Sequence, residues 1–130
     1  MVEKLKKSDA EWREQLSDAA YRVTRRGATE PRFSCSFPDE PGSFHCVCCD
    51  ELLFDSQAKF ESGTGWPSFY EPANSGAVGE KADYSFFMRR IEVLCEKCDA
   101  HLGHVFKDGP RPTGRRFCIN GAALKFVPRN

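Results

Sequence analysis

The chain has 130 residues, 40% of them hydrophobic and 29% charged, which suits one globular domain spanning 1–130. Its longest apolar runs, such as Leu52-Leu53-Phe54 and Phe86-Phe87-Met88, fall far short of the ~20 residues that cross a bilayer, so no membrane partner is expected. Nineteen basic side chains balance nineteen acidic ones, whereas a duplex nucleic-acid binder usually carries a basic excess to displace counterions, so no nucleic acid is expected either.

Met1–Ser8 is charged and lacks an apolar stretch with a cleavage site, which makes a reducing cytoplasmic setting the expectation. Ser8 with Glu11 three residues later predicts a capped helix whose Trp12 and Leu16 share one face. Ser17 predicts the start of a second short helix carrying Ala20, Tyr21 and Val23 and ending near Gly27. Arg22, Arg25 and Arg26 read as its solvated end. Residues 1–28 therefore form a helical lead-in that covers a core built from 31–130.

Beyond Glu30 the texture changes. Pro31, Pro38, Pro41 and Gly42 break any helix, and short strands are predicted at 43–47, 52–54, 84–88, 91–94, 104–106, 117–120 and 123–127. The stretches 72–79 and 108–114 read as loops. The fold class is mainly β beneath a helical N-terminal cover.

Seven cysteines is a high count for this length, and an odd number cannot pair completely, so metal ligation and redox chemistry are the readings to weigh. Cys46-Val47-Cys48-Cys49 and Cys95-Glu96-Lys97-Cys98 each present two thiols on a tight turn after a short apolar strand. Two such knuckles complete a closed shell of Cys46, Cys49, Cys95 and Cys98 around one structural zinc ion, which leaves no open position for chemistry. Redox-active CxxC usually opens a helix, and neither copy does. Cys48 is a bystander by spacing.

With four thiols assigned to zinc, Cys118 stands out in Arg115-Arg116-Phe117-Cys118-Ile119-Asn120. Strand alternation puts Arg116, Cys118 and Asn120 on one face and turns Phe117 and Ile119 into the core. A guanidinium beside a thiol favours the nucleophilic thiolate, and Asn120 offers hydrogen bonds to whatever sits on the sulfur. His101 and His104 are candidates for a general acid titrating near neutrality, for metal binding or for ordinary core packing. In Ser62-Gly63-Thr64-Gly65-Trp66 two glycines force an irregular backbone, so that Trp66 is either an aromatic wall for a methyl or thioether group or a packed turn residue.

Lys59–Phe69 (KFESGTGWPSF), the two knuckles, His101–Gly114 (HLGHVFKDGPRPTG) and Arg116–Asn120 (RFCIN) stand in the order found in methionine-R-sulfoxide reductases of the B type, which the chain resembles over nearly its whole length. That resemblance implies two antiparallel sheets forming a barrel-like core, a structural zinc and a shallow active site. It implies that the Cys118 thiolate attacks the sulfoxide sulfur of a protein- or peptide-bound methionine-R-sulfoxide and is left as a sulfenic acid. Trp66 would hold the methyl group, His101 and His104 would supply or relay the proton, Arg116 would keep Cys118 ionised and Asn120 would orient the site. Where many members carry a recycling cysteine between the two glycines, this chain has Thr64. Cys35, at a place where the family more often has glycine, is the expected resolving thiol, with Cys48 or direct reduction by an outside thiol as alternatives. A thioredoxin-like reductant completes the cycle. Phe87, Ile91 and Gly121 also depart from the family pattern, with packing the expected consequence. A zinc-ribbon binding module with an inert Cys118, and a general disulfide or peroxide reductase, are the rival readings.

Overall fold

Ser8 caps the first helix, α1 (Asp9–Gln15), as its sequence requires. Its hydroxyl accepts from the Glu11 amide at 3.2 Å while the Glu11 carboxylate accepts from the Ser8 amide at 3.0 Å. Ser17 likewise caps α2 (Asp18–Arg26), which Gly27 closes in the left-handed conformation. Trp12, Leu16, Ala20, Tyr21 and Val23 are buried, so the two helices form the expected lid. The reading of Arg25 as a solvated helix end needs correction. Its guanidinium lies 4.4 Å from the centre of the Trp12 ring and donates to the Cys98 carbonyl at 2.8 Å. Gln15 donates to the Cys48 carbonyl at 2.8 Å, which fastens the lid to the turns of both knuckles.

The computed structural model describes residues 4–129. After the helices come β1 (Gly42–Cys46), β2 (Leu52–Asp55), β3 (Lys59–Phe60), β4 (Ser68–Phe69), β5 (Val78–Asp83), β6 (Arg90–Cys95), β7 (His101–Phe106), β8 (Arg116–Ile119) and β9 (Leu124–Pro128). They build two antiparallel sheets, ordered β2-β1-β9 and β3-β4-β8-β7-β6-β5, which face each other without closing into a complete barrel. Phe44 of β1 and Phe54 of β2 meet Phe69 of β4 at ring-centre distances of 5.1 and 4.4 Å, and Phe54 approaches Phe117 of β8 at 5.9 Å. All four rings are essentially inaccessible to solvent. Burial of each contributes about 1.5–3 kcal/mol, so this aromatic layer is the main apolar bond between the sheets.

The predicted strand at 84–88 is not one. The Asp83 carboxylate accepts from the Ser85 amide at 2.9 Å and turns the chain, and Phe86 and Phe87 both take positive φ. Nor does Phe87 pack against anything: it is fully exposed at the hairpin tip beside Tyr84, Phe86 and Met88. The strand lies just before, at Val78–Asp83, where Glu80, Lys81 and Ala82 are exposed along a sheet edge. Among the described residues no helix is long and apolar enough to cross a membrane.

Candidate active site and metal cluster

The two knuckles are built alike. Each begins at the last residue of a strand and ends on an aspartate with positive φ, Asp50 or Asp99, whose amide donates back to the carbonyl of the first cysteine at 2.8 and 2.9 Å. The Sγ atoms of Cys46, Cys49, Cys95 and Cys98 all lie within 4.8 Å of one another, with Cys46–Cys98 and Cys49–Cys95 at 3.6 Å. A tetrahedral ion with ~2.3 Å metal–sulfur bonds sets sulfurs ~3.8 Å apart, so the four donors stand within about an ångström of the spacing zinc takes. Cys48 is buried beside this group, its thiol facing Cys46, Cys98 and Thr24 of α2.

At the centre of the larger sheet, Cys118 on β8 pairs in register with Ser68 of β4 and His104 of β7. Cross-strand neighbours have Cβ atoms ~5 Å apart, so the histidine stands beside the thiol through sheet register alone. Phe117 and Ile119 are fully buried on the opposite face. Trp66, His104, Arg116, Cys118 and Asn120 line one cavity of about 240 Å³ together with Thr29, Arg32, Thr64 and Arg90. His101 and Cys35 lie outside it.

The placement of the histidines depends on a β-bulge. Val93 pairs with Gly103 and Leu94 pairs with His101, which leaves Leu102 as an extra residue in β7. Simple alternation would put His101 and His104, three residues apart, on opposite faces. The bulge returns His101 to the face of His104, and their rings meet edge-on at 5.6 Å. The Leu102 carbonyl accepts from both the backbone amide and the side-chain amide of Asn120, at 2.9 and 3.0 Å, which fixes that residue at the cavity. Gly103 next to the bulge is needed for close approach: a Cβ there would lie 2.0 Å from the Cys118 carbonyl oxygen.

Carboxylates from distant segments hold the polar groups. His104 Nε2 is 2.7 Å from Asp83 Oδ2, and His101 Nδ1 is 2.7 Å from Glu92 Oε2. His101 Nε2 is buried and has no hydrogen-bond partner among the described residues. Arg116 donates to both Asp108 oxygens, at 2.9 and 3.2 Å, and its guanidinium stacks 4.4 Å from the centre of Phe106. Asp83, Glu92 and Asp108 have no sequence signature that separates them from surface charges.

Burial pushes the Cys118 thiol above its ordinary value, although the Thr64 hydroxyl at 3.9 Å and the Arg116 charge act in the opposite direction. Arg116 thus favours the Cys118 thiolate, as expected, but against the larger effect of burial. Burial likewise pushes His104 below its ordinary value, against the pull of Asp83.

Trp66 is presented by Gly63 and Gly65, both at positive φ. A strap at 29–33, between α2 and β1, encloses the indole. Glu30 accepts from Trp66 Nε1 at 2.9 Å through its carbonyl, and the Arg32 guanidinium lies 5.2 Å from the centre of the Trp66 ring. A Cβ at Gly65 would collide with Arg32 and Phe33 at 2.9 Å. Cys35 continues this strap. It is half-buried, its thiol donates to Glu30 Oε1 at 3.6 Å, and its Sγ lies 2.9 Å from where a Cβ on Gly121 would be. Gly121 follows Cys118 by three residues, which bounds their Cα separation at ~11 Å. Thus the departure at Gly121 makes room for Cys35.

A family profile described as the SelR domain matches residues 16–128. The chain is 53% identical to the peptide methionine sulfoxide reductase MsrB of Azotobacter vinelandii over 99% of this chain and 98% of that one. It is 56% identical to the MsrB of Herminiimonas arsenicoxydans over 97% of this chain and 93% of that one. Among solved structures, the crystal structure of the Mis18 'Yippee-like' domain is similar with a TM-score of 0.56 at 18% identity, covering 70% of this chain and 99% of the other. That likeness shows a shared fold and nothing further.

Proposed function

Since the chain belongs to the SelR-domain family and, with its MsrB relatives, is a peptide-methionine (R)-S-oxide reductase, we propose that Cys118 is its nucleophile. The observation that carries this reading is the placement of Cys118 beside His104 in a cavity walled by Trp66. A sulfoxide entering with its methyl group against the indole meets a thiol and an imidazole that start uncharged. His104 with Nε2–H directed to Asp83 leaves Nδ1 as the basic nitrogen, which takes the Cys118 proton. The thiolate attacks the sulfoxide sulfur and the imidazolium delivers the same proton to the sulfoxide oxygen. The hydroxyl then passes to Sγ as methionine leaves, so that Cys118 becomes a sulfenic acid and no outside proton is consumed. Arg116 favours the thiolate once it forms, Asn120 orients the oxygen, and His101 backs His104 from behind.

Cys35 resolves the sulfenic acid: its sulfur bonds to Sγ of Cys118 and water departs with the thiol proton. A thioredoxin-like dithiol then reduces the disulfide. The Gly121 notch supports Cys35 over Cys48, which is buried in the core beneath α2. Cys46, Cys49, Cys95 and Cys98 would hold one zinc ion, which contributes folding energy and no catalytic step. The enzyme acts in the cytoplasm on oxidised methionine in proteins or peptides.

Turnover of separate R and S epimers of a methionine sulfoxide peptide with dithiothreitol tests the reading. Only the R epimer is consumed, and Cys118→Ser abolishes turnover. Equal consumption of both epimers, or an active Cys118→Ser, overturns it.

A further inference from the structure

Glu30 takes part in hydrogen bonds through every polar group it has. Its carboxylate is buried, yet among the described residues it pairs with no cation: Oε2 accepts from the Gly121 amide at 2.8 Å and Oε1 from the Ala122 amide at 2.8 Å. Its backbone amide donates to Asn120 Oδ1 at 2.9 Å, and its carbonyl accepts from Trp66 Nε1 at 2.9 Å. A desolvated carboxylate is costly unless its oxygens are occupied, and two adjacent amides occupy both. Pro31 restricts the Glu30 backbone to the extended region, so the side-chain clamp and the two main-chain bonds are set as one rigid unit.

We propose that Glu30 is a positioning residue of the substrate site: its carboxylate clamps the chain just beyond Cys118, and its main chain thereby sets both the Trp66 wall and the Asn120 amide on either side of the sulfur. The inference rests on the reading of this cavity as the sulfoxide site. It gives a purpose to the strap at 29–33, which contributes Thr29 and Arg32 to the same cavity. Without the carboxylate the two amides of 121 and 122 lose their acceptors, the strap loosens, and the indole loses the carbonyl that orients it. The effect falls on substrate binding, because Cys118 and His104 are held by sheet register and not by Glu30.

The test uses the full chain with Cys35→Ser, so that recycling plays no part, and dithiothreitol as reductant with a methionine-R-sulfoxide peptide. Glu30→Ala raises KM about tenfold while kcat stays within threefold. Glu30→Gln, which keeps the side-chain shape and one acceptor oxygen, falls between Ala and the parent. Added to Trp12→Phe, where Trp66 is the sole indole, Glu30→Ala shifts the emission to the red. An unchanged KM in Glu30→Ala and Glu30→Gln alongside a raised KM in Trp66→Ala overturns the proposal and leaves the cavity reading intact. An equal loss of kcat and kcat/KM marks general damage and also overturns it. If Trp66→Ala itself leaves KM unchanged, the cavity reading fails and the role of Glu30 falls with it.

Discussion

Burial acts on Cys118 and His104 in opposite directions, leaving a protonated thiol next to a neutral imidazole. The reactive pair of the proposed mechanism, thiolate and imidazolium, is then a minor form whose population is constant between the two pKa values. It falls as pH drops below that of His104, because thiolate keeps disappearing with no further gain in imidazolium. It falls above that of Cys118 for the converse reason. The kcat/KM profile is therefore expected to be flat near neutrality, with an acid limb below the ordinary histidine value of 6.5 and an alkaline limb above the ordinary thiol value of 9.0. Asp83→Asn removes the carboxylate that raises His104, so the acid limb moves lower and the plateau drops about tenfold for each pH unit of that movement. A limb that does not move would remove Asp83 from the proton path. For the second thiol, Cys35→Ser is expected to keep dithiothreitol-driven turnover within about twofold and to lower thioredoxin-driven turnover at least tenfold. Full thioredoxin-driven activity in that variant would exclude Cys35. At this scale Cys118, Trp66, Arg116 and Asn120 were legible, because each sits in a short local pattern. Glu30, Asp83, Glu92 and Asp108 were not: each matters through a partner far along the chain or across a sheet, and each reads locally as one more surface acid.

The helices declared themselves through side-chain caps, Ser8 with Glu11 and Ser17 with its amide partner, since capping is settled within four residues. Strands with a buried apolar alternation, β1 and β8, were equally plain. The edge strand β5 was hidden because its residues face water and carry no alternation, and the apolar run at 84–88 misled for the opposite reason, being apolar but unburied. The bulge at Leu102 is invisible in sequence because it is a relation between two strands. Its neighbour Gly103 provides a test at this scale. Gly103→Ala places a methyl against the Cys118 carbonyl and forces β7 from β8, at a cost of about 1–3 kcal/mol. The melting temperature is expected to fall by several degrees and kcat/KM by at least tenfold, while the cysteine cluster still binds zinc. A Gly103→Ala variant with full activity would show that the two strands have slack there.

Cys46 and Cys49 belong to the end of β1 in one sheet, Cys95 and Cys98 to the end of β6 in the other, so the cluster joins the sheets at one margin while the phenylalanine layer joins them inside. The lid helices bond to both knuckle turns and depend on them. A structural zinc ion held there would contribute on the order of 10 kcal/mol to folding, comparable with the whole stability of a domain this size. Metal analysis is expected to find one zinc per chain. Cys95→Ser or strong chelation should lower the melting temperature by 15 °C or more and release helix α2. An unchanged melting curve after complete metal removal would mean that the aromatic layer suffices.

Trp66 borders two hollows, the one that holds Cys118 and a second that holds Cys35, Phe33 and Phe60. The proposed nucleophile and the proposed second thiol thus share one wall, and the Glu30 carbonyl that braces the indole braces it for both hollows.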